Sequence, residues 1–391
     1  MSKVIFFGLP ADGHTNPTLA VVKELVDRGE EVIYYSFDFL REKIEKTGAI
    51  YRSYNLDLSI LTRANNANFT FLYRTLMQVN KLILNKLLPE ISKEKPDYII
   101  HDSLCSWGKY IAEILGIPAI SSITVFAFSK ESSSVSFKVL FKILVIGFKD
   151  LLTGIIIEKM ISSRYKIKTK GFSDAFMSLE KMNIIYTSKD FQPGGEFFDA
   201  SFKFVGPSIN NRDEKNNVLI PEANKKPLVY ISLGTIANHN PGFFEKCFVA
   251  FGQMDLLIIL SVGDLNIIKS LHDVPDNFIV REYVPQLEIL TKAAIFITHG
   301  GMNSVHESLY NSVPMIVVPQ HDEQAMVAER VDKTGAGIYL KTVTPDTLRA
   351  SVLEVLNNNS FKTNCGKLSE SMKLAGGYKK AVDEIFAFKL T

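Results

Sequence analysis

Tyr283-Val284-Pro285-Gln286, then Thr298-His299-Gly300-Gly301-Met302-Asn303-Ser304, then Glu307, then Pro319-Gln320-His321-Asp322-Glu323-Gln324: these residues decide how the 391-residue chain is read. An apolar strand over 295–298 ends at His299, and a helix is expected to begin near Asn303. Backbone N–H groups at a helix start point outward, and the helix dipole favours an anion there. Two glycines let a phosphate approach the backbone closely. Glu307 falls about one turn further along, at ~3.6 residues per turn, where it suits vicinal ribose hydroxyls. Tyr283 offers a ring face to a base. Glu323 and Gln324 offer acceptors and donors to sugar hydroxyls. Leu233-Gly234-Thr235 repeats the strand-then-glycine design, so two turns can grip one diphosphate. The order suits a ligand with a ring, a diphosphate, a ribose and a sugar.

Taken singly, each feature has a plain structural reading. Gly-Gly after a strand is commonly a tight turn, a helical Glu is commonly solvated, and a Tyr is commonly core or rim. Their joint order is what carries the ligand reading.

Outward from this stretch, short apolar strands alternate with amphipathic helices. In the second half, strands are expected at 228–233, 256–262, 278–282, 295–298 and 315–318. In the first half they are expected at 3–9, 31–37, 97–102, 119–123 and 183–188, the first being apolar almost throughout, as a strand covered on both faces would be. Asn16 and Pro17 read as a helix cap and a first-turn proline. Leu19, Val22 and Val26 give helical spacing, and Gly29 closes that helix. A helix is expected near 104–115, and residues 130–182 read as mostly helical. The pattern is α/β with parallel sheets, in two doubly wound domains facing across a cleft. Residues 206–217 are polar and form the best linker candidate.

In the first half, His14 lies just after the first strand, in the turn before the helix that Asn16 would cap. Asp102 ends the strand at 97–102. Parallel strand ends share one sheet edge, where ligands bind. An imidazole beside a carboxylate is what a general base needs, because the carboxylate fixes the tautomer and stabilises the imidazolium. A lone loop histidine is otherwise a surface or capping residue. His101 would point to the other sheet face and is read as structural. His239, His272, His306 and His321 form no metal set, and no Asp-x-Asp motif appears, so no metal-held diphosphate is expected. The run from Gly8 to Thr15 superficially resembles a phosphate loop, but His14 stands where that loop needs lysine.

Composition is ordinary for a globular protein, 46% apolar and 22% charged, and the net charge of +2 gives no reason to expect nucleic acid. At this length about two domains are expected. Cys105, Cys247 and Cys365 are scattered and odd in number, which suggests a reducing compartment, hence a cytoplasmic protein. The apolar run at 4–9 lacks a cleavage site and is not read as a secretory signal. The most hydrophobic segment, 139–157, carries Lys142, Lys149 and Asp150, so a buried or membrane-surface helix is expected rather than a spanning one.

The stretch from Tyr283 to Gln324, with Gly13-His14-Thr15-Asn16-Pro17 and Ser232-Leu233-Gly234-Thr235, resembles the family 1 UDP-dependent glycosyltransferases, most of all the bacterial macrolide and natural-product type. The resemblance spans essentially the whole chain. It implies the GT-B fold, with an acceptor-binding domain at 1–206, a linker at 207–217, a donor-binding domain at 218–375 and a C-terminal helix at 376–391 packing back on the first domain. It implies that Tyr283 stacks on uracil, with Val284 beside it, and that Gln286 contacts the nucleoside. Thr235, His299, Gly301, Asn303 and Ser304 match diphosphate-side positions, Glu307 the ribose ligand, and Glu323 with Gln324 the sugar-reading pair, with Gly13 and Gly234 counted among the donor-binding residues. His14 and Asp102 match the catalytic pair. Two positions depart from the pattern: Tyr283 stands where the family usually has Trp, and Val327 where it often has Asn.

The activity implied is inverting transfer of a hexose from UDP-glucose, a co-substrate with no further cofactor, to a hydroxyl of an apolar small molecule such as a macrolide, flavonoid or other phenol. Phe69, Met77, Phe126 and Phe128 lie in segments suited to line the acceptor pocket, although core packing is the plainer role for each. A monomer or weak dimer without stable membrane insertion is expected. A UDP-sugar epimerase, a nucleotide-sugar sensor or partner subunit without transferase activity, and a lipid-linked cell-wall glycosyltransferase are the competing readings. The intact His14 and Asp102 weigh against the sensor, which needs no base.

Overall fold

The computed structural model describes residues 2–56, 69–128, 147–209, 226–234 and 241–389, without the side chains of Phe69, Ser173 and Pro241. Thr235, His239 and most of the linker candidate lie outside the described residues. The chain forms two compact units, Met1–Ser208 with Gly376–Thr391, and Ile209–Ala375.

The first unit holds a seven-stranded sheet in the order β3-β2-β1-β4-β5-β6-β7. Its strands are β1 (Lys3–Phe7), β2 (Glu31–Ser36), β3 (Ile50–Ser53), β4 (Tyr98–Asp102), β5 (Ala119–Ile123), β6 (Asn183–Ile185) and β7 (Phe202–Phe204), and every pairing is parallel. The apolar run of β1 divides between two cores as the pleat requires. Ile5 and Phe7 pack with Trp107, Tyr110 and Leu76, while Val4 and Phe6 pack with Val21, Leu25 and Ile385. Strand order reverses between β1 and β4, so their carboxyl ends form the switch point where α/β sheets bind ligands.

Helix α1 (Asp12–Asp27) begins four residues before the expected cap at Asn16. Ala11 is the extended capping residue, and its carbonyl accepts from His14 and Thr15 N–H at 3.1 and 2.9 Å. His14 therefore sits on the first helical turn rather than in a preceding loop. Pro17 lies inside the helix, where its missing N–H forgoes one bond. The far end is as expected: Gly29, at φ +92°, donates to the Val26 carbonyl.

Helices α2 (Phe69–Glu94), α3 (Ser106–Leu115) and α4 (Phe148–Tyr165) follow. The expected helix at 139–157 is thus α4 from Phe148 onward, its earlier part lying outside the described residues. Burial holds on one face only. Glu158 accepts from Tyr73 at 2.6 Å, while Phe148, Leu152, Ile156 and Met160, four residues apart, are exposed. Among the described residues no helix is long and apolar enough to cross a membrane.

The second unit holds a six-stranded parallel sheet in the order β10-β9-β8-β11-β12-β13. The strands are β8 (Leu228–Ser232), β9 (Leu257–Ser261), β10 (Phe278–Arg281), β11 (Ile295–Thr298), β12 (Met315–Val317) and β13 (Gly337–Tyr339). Order reverses between β8 and β11, placing Gly234 and His299 beyond adjacent strand ends. The helices used below are α5 (Gln286–Leu290), α6 (Met302–Tyr310) and α7 (Asp322–Lys333).

The last helix, α8 (Gly377–Lys389), belongs to the first unit. Ala381, Val382 and Ile385 pack against Val21, Val22 and Leu25 of α1. Arg28 pairs with Asp383 at 2.6 Å, and Lys389 reaches Glu30 at 2.8 Å and the Ser2 hydroxyl at 2.7 Å. Deleting residues 377–391 is expected to cost the first unit about 3–6 kcal/mol, from Val382 and Ile385 alone at the usual burial value. Chemical denaturation of the truncated chain checks this, and an unshifted midpoint would refute it.

Candidate active site

At the switch point of the first unit, His14 Nδ1 lies 2.7 Å from Asp102 Oδ2. Asp102 is 1% exposed, and its other oxygen accepts the Leu104 N–H at 2.9 Å, which locks the carboxylate. Thr124, just past β5, places its hydroxyl 2.8 Å from the same nitrogen. With Nδ1–H committed to the carboxylate, the lone pair is on Nε2, the tautomer a base requires. Thr124 was not anticipated. Its signal was available: a polar residue at a strand end beside β4 on the ligand-binding edge.

His101 behaves as a structural residue. It is fully buried, with Nδ1 at 3.0 Å from the Asp102 carbonyl and Nε2 at 3.3 Å from Glu180. Cys105, Cys247 and Cys365 are buried free thiols, and burial raises the pKa of each.

In the second unit, the His299 ring is wedged between two glycines. A Cβ on Gly234 would fall 2.6 Å from its Cε1, and one on Gly301 2.6 Å from its Nε2. Gly234 and Gly300 have φ of +77° and +89°, a conformation side chains rarely adopt. Gly301 precedes α6 as its extended capping residue and makes no side-chain cap bond, and a helix start presents backbone N–H groups where an anion is favoured.

Burial pushes the His299 pKa down to about 4, with His321 adding to the effect and the Ser232 carbonyl opposing it. Burial alone pushes His306 to about 3. Both rings are neutral near pH 7. The unfolded chain takes up these protons near pH 6.5, whereas the folded unit does so only near pH 4 and 3. Stability carried by the neutral rings is therefore present above pH 6.5 and lost as pH falls below it. The expected loss is about 1.4 kcal/mol per pH unit per histidine in that window. Denaturation midpoints between pH 7 and 4.5 should fall, and His306→Gln should flatten the fall. A pH-independent midpoint would refute this.

Glu307 is 3% exposed and is met by Gln286, whose Nε2 donates to it at 2.7 Å and lies 3.4 Å from the Ser304 hydroxyl. Gln286 is the first residue of α5, so two helix starts converge here. Tyr230, also unanticipated, donates to Gln286 Oε1 at 3.1 Å. Tyr283 is 49% exposed, and its hydroxyl donates to the Gly263 carbonyl at 2.9 Å, which pins the ring. Val284 is buried beside it. Glu323 is exposed on the first turn of α7, and Gln324 accepts the Gln320 N–H at 2.8 Å. Val327 is buried on the same helix.

The acceptor candidates do not gather. Met77 is fully buried in the core with Trp107 and Tyr110, because α2 turns that face onto the sheet. Phe126 is buried against Phe191, ring centroids 5.6 Å apart, while Phe128 is exposed. The Phe69 side chain lies outside the described residues. Gly13 is on the first turn of α1, with nothing within 4 Å of where a Cβ would stand.

Two doubly wound units, with a His–Asp pair at one switch point and a glycine-flanked helix start at the other, define the GT-B architecture. Residues 245–382 match the family described as erythromycin biosynthesis protein CIII-like, C-terminal domain. The chain is 34% identical to an uncharacterized UDP-glucosyltransferase, YojK, of Bacillus subtilis (strain 168), over 98% of this chain and 97% of the relative. It is 36% identical to the NDP-glycosyltransferase YjiC of Bacillus licheniformis, with the same coverage. The crystal structure of the calicheamicin glycosyltransferase CalG4 superposes with a TM-score of 0.87 at 24% identity, covering 99% of this chain and 98% of that one. The chain belongs to the family 1 UDP-dependent glycosyltransferases of the bacterial natural-product type. It is an enzyme that takes a nucleotide sugar as co-substrate.

Proposed function

We propose that the enzyme moves glucose from UDP-glucose to a hydroxyl of an apolar small molecule, a macrolide, flavonoid or other phenol, with inversion to a β-glycoside. The carrying observation is the 2.7 Å contact between His14 and a buried Asp102 at a sheet switch point. His14 Nε2 takes the acceptor's hydroxyl proton. The acceptor oxygen forms its bond to the anomeric carbon while the bond from that carbon to the diphosphate oxygen breaks, its electron pair leaving with UDP. Asp102 stabilises the imidazolium so formed. In the donor unit, Tyr283 stacks on the base with Val284 and Gln286 beside it, and Glu307 takes the ribose. Neutral His299 and the first-turn N–H groups of α6 stabilise the departing diphosphate, with Gly301, Asn303 and Ser304 in contact. Gly13, Gly234 and Thr235 approach the phosphates, and Glu323 with Gln324 read the sugar. Residues 1–206 then form the acceptor domain and 218–375 the donor domain, joined by a linker at 207–217. The enzyme acts in the cytoplasm, as a monomer or weak dimer, with no metal on the diphosphate.

The names of YojK and YjiC support a nucleotide-sugar donor, and the first supports glucose. The test is UDP release from UDP-glucose with mass spectrometry across macrolides, flavonoids and other phenols. A product heavier by one hexose residue is expected. UDP binding with neither transfer nor hydrolysis for any acceptor would overturn the transferase assignment in favour of a sensor.

A further inference from the structure

We propose that Tyr230 is a positioning residue for nucleoside recognition, acting through Gln286 on Glu307; this rests on the reading of Glu307 as the ribose ligand. The case starts from what each group can do. A carboxylate accepts only, so the Gln286 amide must turn its Nε2 toward Glu307, and the 2.7 Å contact does so. That leaves Oε1 on the other side, where it needs a donor. Tyr230 supplies it at 3.1 Å. The amide thus has one orientation that satisfies both neighbours, and the phenol hydroxyl holds it there.

Tyr230 is well placed to be the fixed end. It lies in β8, is 2% exposed, pairs with Phe296 of β11 in the sheet register, and stacks on that ring at 4.7 Å and 11°. Glu307, on α6, is 3% exposed, and Gln286 opens α5. A rigid strand residue therefore sets the amide, and the amide sets the carboxylate that must meet two vicinal hydroxyls. Preorganised groups of this kind lose less freedom on binding. The chain of contacts spans residues 230, 286 and 307, so no local sequence pattern contains it.

The experiment is calorimetric titration of UDP and of 2′,3′-dideoxy-UDP into the full-length protein. Tyr230→Phe removes only the hydroxyl and keeps the ring stack. Wild type is expected to bind UDP more tightly than the dideoxy analogue. In Tyr230→Phe, UDP binding should weaken about fivefold, the value of one neutral hydrogen bond, while the analogue's affinity stays unchanged. In a Glu307→Gln background, Tyr230→Phe should have no further effect on UDP, because the route runs through the carboxylate. Equal weakening of both nucleotides would mean a merely structural tyrosine and would overturn the proposal, as would unchanged UDP affinity. A wild type that does not distinguish UDP from the analogue would remove the ribose assignment of Glu307, and the proposal with it. Undiminished discrimination in Tyr230→Phe removes the positioning role alone.

Discussion

His14→Ala is expected to lower kcat by about 10²–10⁴-fold, the usual contribution of a positioned general base, with the affinity for UDP unchanged. The affinity is spared because His14 belongs to the first unit, whereas the proposed nucleotide ligands, Gly13 apart, belong to the second, and the substitution leaves Gly13 in place. Asp102→Asn should cost a similar factor for a different reason. Asp102 Oδ1 already accepts the Leu104 N–H, so an asparagine keeps its oxygen there and turns its NH2 toward His14. That NH2 needs an acceptor, which drives the proton from Nδ1 to Nε2 and removes the basic lone pair. Steady-state turnover with calorimetric UDP titration checks both variants. Retained turnover in His14→Ala would sink the base assignment, and loss of UDP binding would point to misfolding or a different role.

Gly301→Ala should act on the other half of the reaction. Its methyl would stand 2.6 Å from His299 Nε2, and the ring cannot retreat toward Gly234, where the space is equally tight. Overpacking of this kind costs about 1–3 kcal/mol. If the strain is carried by the diphosphate-binding geometry, KM for the UDP-sugar rises about 5–150-fold. At saturating donor, kcat should fall less than in His14→Ala, because the proton-transfer pair is intact. An unchanged KM with an unchanged melting temperature would mean that the wedge has no bearing on donor binding.

The features readable in advance were those written in local pattern. Strands expected at 119–123 and 295–298 have the bounds of β5 and β11: the second is a short apolar run that stops at the His299-Gly300 turn, and the first starts directly after the Gly116-Ile117-Pro118 turn. The glycine turns around His299 were equally legible, since only glycine fits such backbone. The start of α1 was misjudged because Pro17 reads as a first-turn residue, whereas Ala11, with no side-chain signal, is the one that adopts the extended capping conformation. Met77 shows a different limit. A methionine on a helix can face a pocket or the core, and only the packing of α2 on the sheet decides for the core. Thr124 and Tyr230 reach their partners across 110 and 56 residues, distances at which no sequence window operates.

The C-terminal helix makes the first unit from both ends of the chain, with the second unit's sequence threaded between them. On the ribosome, residues 209–375 emerge as one continuous segment and can complete their own core while the first unit still lacks α8. Until Ala381, Val382 and Ile385 arrive, the outer face of α1 has an unfilled apolar groove. The proposed base, His14, sits on that same helix. Helix α1 is thus completed by a helix more than 300 residues further along, and a chain interrupted before residue 377 would have a closed second unit and an unfinished His14 unit.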